Sequence, residues 1–420
     1  SKWTREAGIE SRGSFMLGMP GETPELAKQT VQNAIELDPD YAQFSIVCPY
    51  PGTQLQKEIK QGKWGKFTEE NFEKYHVWDV TWLPKGYKNV EELKKIEGTQ
   101  LVAACDIAPS VAKEFATKHE IKNVFNRVED LIKFKEFDAV ANVTSDRYHY
   151  ETTIPLLEAG KHVLCEKPLA ENYDDALKMS ELAESKGLVN MVNFSYRNAS
   201  AIQNAYKIVQ SGEIGEVIHL EASYLQSWLV SKAWGDWKNQ SHWLWRLSTQ
   251  HGSKGVLGDV GVHILDFVTY PIGQVEKISC VLKTFDNVKG NRIGKYPLDA
   301  NDSAVINLIF KNGAIGTVHT TRWAVGHNNT VSMRLFGSKG SLRINLDKSP
   351  TKLEWCVGEN IDDAKWDSLE CGITPNIYEL FIKSIKNGVH EKPDFKRGAE
   401  IQRLLDVCES SSLKGQIMML

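Results

Sequence analysis

Five apolar runs, TQLVAACD (99–106), KNVFN (122–126), FDAVANVTS (137–145), KHVLCEK (161–167) and LVNMVNFS (188–195), alternate with helical patterns at 108–119, 127–134, 149–159 and 173–187. Strands and helices alternating in this way predict a doubly wound parallel sheet. Beyond about residue 215 the chain turns strand-rich. EVIHLEASYLQS, VEKISCVLKTFD, DSAVINLIFKNGAIGTVHTTRW, TVSMRLFGSKGSLRIN and KLEWCVG read as a large, mostly antiparallel sheet, with Asn312-Gly313 a hairpin turn. Helices are expected at 199–211, 259–270, 374–387 and 397–414. Ahead of all this, SFMLG (14–18), PELAKQTVQNAIEL (24–37) and YAQFSIVCPY (41–50) form a strand, an amphipathic helix and a strand, one β-α-β unit. Residues 62–89 are aromatic and polar without a clear period and read as loops and short turns, and the character changes again at Glu91–Gly98.

Composition narrows the class. A chain of 420 residues has room for two or three domains, and a net charge of -4 offers no basic face for nucleic acid or anionic membrane. No apolar run approaches the ~18 residues of a membrane span, and the opening SKWTREAG has no apolar signal core. The seven cysteines are scattered without a CxxC or Cys/His cluster. No metal site is expected, and reduced thiols suit a cytoplasmic protein.

Three clusters carry candidate chemistry. AGKHVLCEKPLA (159–170) presents Glu166, Lys167 and Pro168 at the carboxyl end of a strand, where open α/β sheets bind ligands. A lysine there can hydrogen-bond a substrate hydroxyl and help move a proton, although it also suits an ordinary surface position. In GSKGVLGDVGVHILD (252–266), Asp259, His263 and Asp266 fall at spacings that place them on one helix face. That pairing suits hydroxyl oxidation, with His263 accepting the proton; a helix cap beside a satisfied histidine is the alternative. The tryptophans of SWLVSKAWGDWKNQSHWLWR (227–246) suit stacking on sugar C–H faces, with Arg246 able to bind hydroxyls or a carboxylate, and equally suit domain packing.

Taken in order, NVTSDRYHYETTIPLLEAGKHVLCEKPLA, MVNFSYRN, WLWRLSTQHGSKGVLGDVGVHILDF and LDANDSAVINLIFKNGAIGTVHTTRW resemble the Gfo/Idh/MocA family of NAD(P)-dependent oxidoreductases over about residues 93–415. The resemblance implies that Lys167 of the EKP motif meets the substrate hydroxyl and the nicotinamide ribose, with Glu166 beside it and Pro168 cis. It places Thr144, Ser145 and His149 beside the nicotinamide, Ser145 standing where the family usually has Pro. Asp259 and His263 match the second catalytic motif. Arg197, Trp245 and Arg246 join them on the substrate side. Asp106 matches the acid that takes the adenosine ribose hydroxyls, and the absence of Arg or Lys in Ile107-Ala108-Pro109 favours NAD over NADP. The implied substrate is a sugar, cyclitol or polyol, and the implied assembly a homodimer or homotetramer formed through the open face of the C-terminal sheet.

One part of the family pattern is missing. The first strand and its G-x-G-x-x-G turn belong in the window 75–95, which holds a single glycine, Gly86. The earlier GMPGET (18–23) has the wrong spacing and lies too far ahead of Asp106 to be that turn. GIESRGSFMLGMPGETPELAKQTVQNAIELDPDYAQFSIVCPYPGTQL instead resembles the late part of a radical S-adenosylmethionine enzyme barrel. The cluster-binding cysteines of that superfamily are absent, since only Cys48 occurs before Cys105. The expected organisation is a radical-SAM-like fragment at 1–92, a truncated Rossmann domain at 93–192 lacking its first strand and glycine loop, and an α+β substrate and oligomerisation domain at 193–420. The expected activity is hydride transfer between a hydroxyl and NAD, with NAD binding put in question by the missing loop. The alternatives are an inactive fusion with a sugar-binding C-terminal domain and a radical SAM fragment.

Overall fold

The computed structural model describes residues 12–17, 19, 24–37, 41–47, 53–61, 65–67, 82–84 and 99–420, Ile373 excepted. The chain forms two compact units, Ser1–Gln100 and Leu101–Leu420. In the first, β1 (Arg12–Leu17), α1 (Pro24–Leu37) and β2 (Tyr41–Ile46) make a β-α-β unit whose strands pair in parallel. Helix α2 (Gln54–Lys60) follows, capped by the Thr53 hydroxyl, which accepts from the Gln56 amide. Residues 62–89 contain more order than their sequence suggests. Strand β3 (Gly65–Phe67) pairs antiparallel with β4 (Trp82–Pro84), and the rest of that stretch lies outside the described residues.

The second unit begins with β5 (Ala103–Cys105), α3 (Pro109–Lys118), β6 (Asn123–Phe125), α4 (Val128–Phe134), β7 (Ala139–Asn142), α5 (His149–Glu158), β8 (His162–Cys165), α6 (Tyr173–Ser185) and β9 (Asn190–Val192). All strand pairs here are parallel, as right-handed β-α-β crossovers require. They form two sheets, β5-β6 and β7-β8-β9, and no described strand pairs with the outer edge of β5 or β7. The central strand β8 is buried on both faces, and Leu156, Leu157, Val163 and Cys165 seat it in the main core.

The remainder is α7 (Ser200–Ser211), β10 (Val217–Gln226), a short α8 (Ser241–Leu244), α9 (Val262–Ile272), β11 (Val275–Lys283), the small hairpin β12 (Arg292–Ile293) and β13 (Tyr296–Pro297), β14 (Ser303–Phe310), β15 (Ile315–Thr321), β16 (Asn329–Gly337), β17 (Gly340–Asn345), β18 (Lys352–Val357), β19 (Asp367–Glu370), α10 (Ile377–Asn387), α11 (Phe395–Lys414) and β20 (Met418–Met419). Nine strands make one sheet in the order β19-β18-β17-β16-β10-β15-β14-β11-β20. It is antiparallel except for β10 beside β15, which run parallel. That one parallel pair fits the mostly antiparallel sheet expected from the sequence, although alternation along a strand reveals which face is buried and not the direction of its neighbour. Leu220, Ala222 and Tyr224 of β10 face the core with Ile306, Leu308 and Val318, against α9, which is buried almost throughout.

The β10–β15 contact is close. A Cβ on Gly316 would meet the Leu220 side chain at 2.2 Å and its carbonyl oxygen at 2.6 Å, whereas Gly313, in the β14–β15 turn at φ 87°, has nothing within 4 Å. Gly316→Ala should therefore destabilise by about 1–3 kcal/mol through overpacking. Gly313→Ala should cost only the positive φ, about 1 kcal/mol. Urea unfolding of the two variants checks the order.

Candidate active site

A buried carboxylate organises the site. The helix that ends as α9 opens with a π-helical turn, Leu257–Gly261, which carries Asp259. Lys167, just past β8, donates from Nζ to the Asp259 backbone oxygen (2.8 Å) and to Oδ1 (3.1 Å). Arg246 Nη1 reaches the same Oδ1 at 3.0 Å, and Arg322, just past β15, reaches Oδ2 with Nη2 at 3.0 Å. Arg322 is wholly buried and its Nη1 also donates to the Arg246 backbone oxygen. Burial alone would raise the Asp259 carboxyl, but the charges of Lys167, Arg322 and Arg246 overcome it and hold the group well below the usual carboxylate range.

These groups floor a cleft of about 360 Å³. One wall is the segment after β7, Val143–Asp146, and the other runs from Trp245 and Arg246 to Ser253–Gly255. The first wall is shaped by Asn142, whose Oδ1 accepts from the Thr144 amide (3.2 Å) and hydroxyl (2.8 Å) while its Nδ2 donates to Thr152 and Thr153. His149 is fully buried and spans two backbone carbonyls, with Nδ1 2.7 Å from the Pro168 oxygen and Nε2 2.9 Å from the Thr144 oxygen. It thereby ties the β7 segment to the Lys167–Pro168 bond, which is cis. Glu166 Oε1 accepts from Asn193 Nδ2 at 2.5 Å, which fixes its carboxylate.

Lys167, Asp259, Thr144, Ser145, Glu166, Trp245 and Arg246 thus meet around one cleft. His263 does not line it. One turn deeper than Asp259, it packs edge-on against Tyr196 (5.0 Å between ring centres) and Phe194, and its Nδ1 has no hydrogen-bond partner among the described residues. Asp266 does not line the cleft, and its carboxylate has a different set of partners from that of Asp259. Arg197 is a correction too. It is buried away from the cleft, its Nε 2.9 Å from Asp266 and its Nη2 on the other carboxylate oxygen, with its guanidinium over the Tyr270 ring. Arg397 reaches the same carboxylate at 2.8 Å, so Asp266 and both arginines form a closed structural cluster.

The Trp-rich segment divides. Trp228 and Trp237 are buried with Leu229, Leu244, Leu247 and Leu298, so they pack rather than face ligand. The Arg322 guanidinium lies 4.9 Å from the Trp228 ring centre and that of Arg246 4.8 Å from Trp245, so indoles support both arginines that grip Asp259. Sequence reasoning missed Arg322, Asn142 and Asp146. Arg322 alone carried a signal, as a cation closing an apolar strand. Among the described residues, no three His, Cys, Asp or Glu side chains are placed to hold a metal ion.

The arrangement fits NAD at two places. The cleft at the carboxyl ends of β7 and β8 has the position and polar lining for a nicotinamide and its ribose. Asp106 stands past the end of β5, one oxygen accepting the Ala108 amide at 2.7 Å. The pyrophosphate turn has no counterpart among the described residues, and the window 75–95 lies outside them apart from β4.

A polar cleft at the carboxyl ends of parallel strands, floored by a lysine-bound aspartate, suits a nicotinamide-dependent oxidoreductase. Comparison with known proteins agrees. Residues 83–194 match the oxidoreductase family with an NAD-binding Rossmann fold, and residues 202–343 match the GFO/IDH/MocA C-terminal domain. Levoglucosan dehydrogenase of Pseudarthrobacter phenanthrenivorans is 30% identical over 341 residues, 73% of this chain and 86% of that protein. Myo-inositol 2-dehydrogenase of Thermotoga maritima is 27% identical over 307 residues, 72% of this chain and 86% of its own length. A solved levoglucosan dehydrogenase in complex with NADH and L-sorbose superposes with a TM-score of 0.67 at 26% identity, covering 76% of this chain and 89% of the other. The chain belongs to the Gfo/Idh/MocA family, whose NAD-binding domain identifies NAD as the cofactor.

Burial, then the Lys167 charge, pushes the His263 imidazole from 6.5 down to about 3, with Asp259 and Asp266 opposing. Unfolded, this histidine binds a proton below about pH 6.5. Between these values the unfolded chain therefore holds more protons, and the stability due to this group falls as pH drops. His263→Gln, which does not titrate, should flatten the fall in melting temperature from about pH 7 to pH 4 relative to the unaltered protein. Parallel curves would contradict this protonation state.

Proposed function

We propose that the protein oxidises a secondary hydroxyl of a sugar, cyclitol or related polyol with NAD, or runs the reverse reduction. The supporting observation is Lys167 pinned on Asp259 at the floor of the cleft, with an ammonium presented at the carboxyl edge of the parallel sheet. Bound NAD+ supplies the hydride acceptor, C4 of its nicotinamide. Lys167 Nζ orients the substrate hydroxyl oxygen and stabilises negative charge as the proton leaves. Asp259 holds that ammonium in place. His263, kept neutral, is the proton acceptor that the family resemblance implies, and it lies one turn behind Asp259 rather than in the lining of the cleft. Thr144 and Ser145 border the nicotinamide, with His149 bracing their wall, and Trp245 and Arg246 border the sugar. The relatives' printed substrates, levoglucosan and myo-inositol, are hydroxylated rings, which supports this substrate class.

The division into residues 93–192 for NAD and 193–420 for substrate and self-association belongs to the same proposal, as does a cytoplasmic location. A homodimer or homotetramer would form through the outer face of the nine-stranded sheet, where Val281, Val305 and Ile315 stand exposed. Residues 1–92 remain, by resemblance, a radical-SAM-like fragment, and a parallel β-α-β unit suits such a barrel piece. A second reading, an inactive fusion retaining a sugar-binding domain, is favoured by the missing G-x-G-x-x-G spacing ahead of Asp106 in the sequence.

An assay of NAD+ reduction with levoglucosan, glucosides and inositols separates these readings. Turnover of any of them that falls ~10²–10⁴-fold in Lys167→Ala supports the dehydrogenase. Turnover unaffected by that change would refute the role of Lys167, and sugar binding without turnover would favour the inactive fusion.

A further inference from the structure

Three carboxylates line the cleft, and two are already committed. Asp259 receives Lys167, Arg246 and Arg322, and Glu166 receives Asn193 and the Lys167 amide. The third, Asp146, opens the short helical turn Asp146–Tyr148 beyond β7. Among the described residues its carboxylate has no ion pair and, its own amide aside, no hydrogen-bond donor. Burial raises its carboxyl above the usual range, against the lowering charges of Lys167 and His149. A desolvated carboxylate is stable only with donors, and when ionised it is acceptor-only with two oxygens to fill. A cationic ligand is disfavoured, since Lys167, Arg246, Lys254 and Arg322 already outnumber the three carboxylates around the cleft. Neutral hydroxyls remain.

We propose that Asp146 is a ligand-binding residue whose two carboxylate oxygens accept hydrogen bonds from a pair of vicinal hydroxyls. The inference rests on the dehydrogenase reading, and two sources offer that chemistry: the nicotinamide ribose and the sugar or cyclitol itself. Both lie within reach of a wall shared with Thr144 and Ser145.

The test measures binding rather than turnover. NADH affinity is read from nicotinamide fluorescence, and levoglucosan and myo-inositol affinity from calorimetry at saturating NADH, for the unaltered protein, Asp146→Asn and Asp146→Ala. Losing hydrogen bonds to a charged acceptor should weaken one ligand roughly ten- to a hundredfold. Weaker NADH binding assigns the ribose. Weaker levoglucosan or inositol binding with NADH unchanged assigns the substrate. Equal affinities for every probe in all three proteins overturn the role of Asp146 alone. An unaltered protein that takes up none of the probes overturns the dehydrogenase reading and this inference with it.

Discussion

A single carboxylate with three cations on it holds the catalytic end of this protein together. Asp259 sits where a bare charge would be expelled, and burying an ion is tolerable only when its partners are fixed and close. The partners come from three distant parts of the chain: Lys167 from the end of β8, Arg246 from the Trp-rich segment and Arg322 from the end of β15. Removing Asp259 would leave three cations facing one another without their shared anion. The parallel sheet, the nine-stranded sheet and the π turn thus converge on one group, and the cleft has its shape because they do.

The supporting layers follow from that constraint. Arg322 is wholly enclosed, so its guanidinium needs both the carboxylate and an aromatic face, and Trp228 supplies the face. Trp228 is itself oriented by Gln226, which bonds Asn329, which in turn links Tyr224 and Tyr196 around His263. A hydrogen-bond network therefore runs from beside the clamp to Tyr196 and Tyr224, whose rings pack against the buried histidine. Across the cleft, Asn142 and His149 do comparable work, tying the segment after β7 to α5 and to the Pro168 carbonyl.

Much of this was legible in the sequence. The alternating apolar runs from 99 to 195 announced the parallel strands nearly to their ends, because buried strands and amphipathic helices obey different periods. Lys167 and Asp259 were legible through motif order. What stayed hidden depended on departures from regular geometry or on long-range partners. Helical spacing grouped Asp259 with Asp266, yet their carboxylates bind separate sets of cations brought in from distant parts of the chain. Arg197 looked like a substrate ligand because nothing local reveals that Asp266 and Arg397 enclose it. The tryptophans suited a sugar platform and domain packing equally, and the structure divides them, with Trp228 and Trp237 packed in a core and Trp228 and Trp245 lying against two arginines. Strands β3 and β4 were invisible because, unlike the equally short β5, β6 and β9, they are not set in apolar runs that alternate with amphipathic helices.

The Lys167–Asp259 cleft is suited to the nicotinamide end of a dinucleotide although the described residues contain no pyrophosphate turn. Titration of the unaltered protein with NADH, followed by nicotinamide fluorescence, tests this most directly. Saturable enhancement at micromolar cofactor is the outcome expected if cleft contacts and Asp106 hold the dinucleotide. No binding at millimolar NADH would contradict the account and leave the dehydrogenase site as inherited architecture without its cofactor.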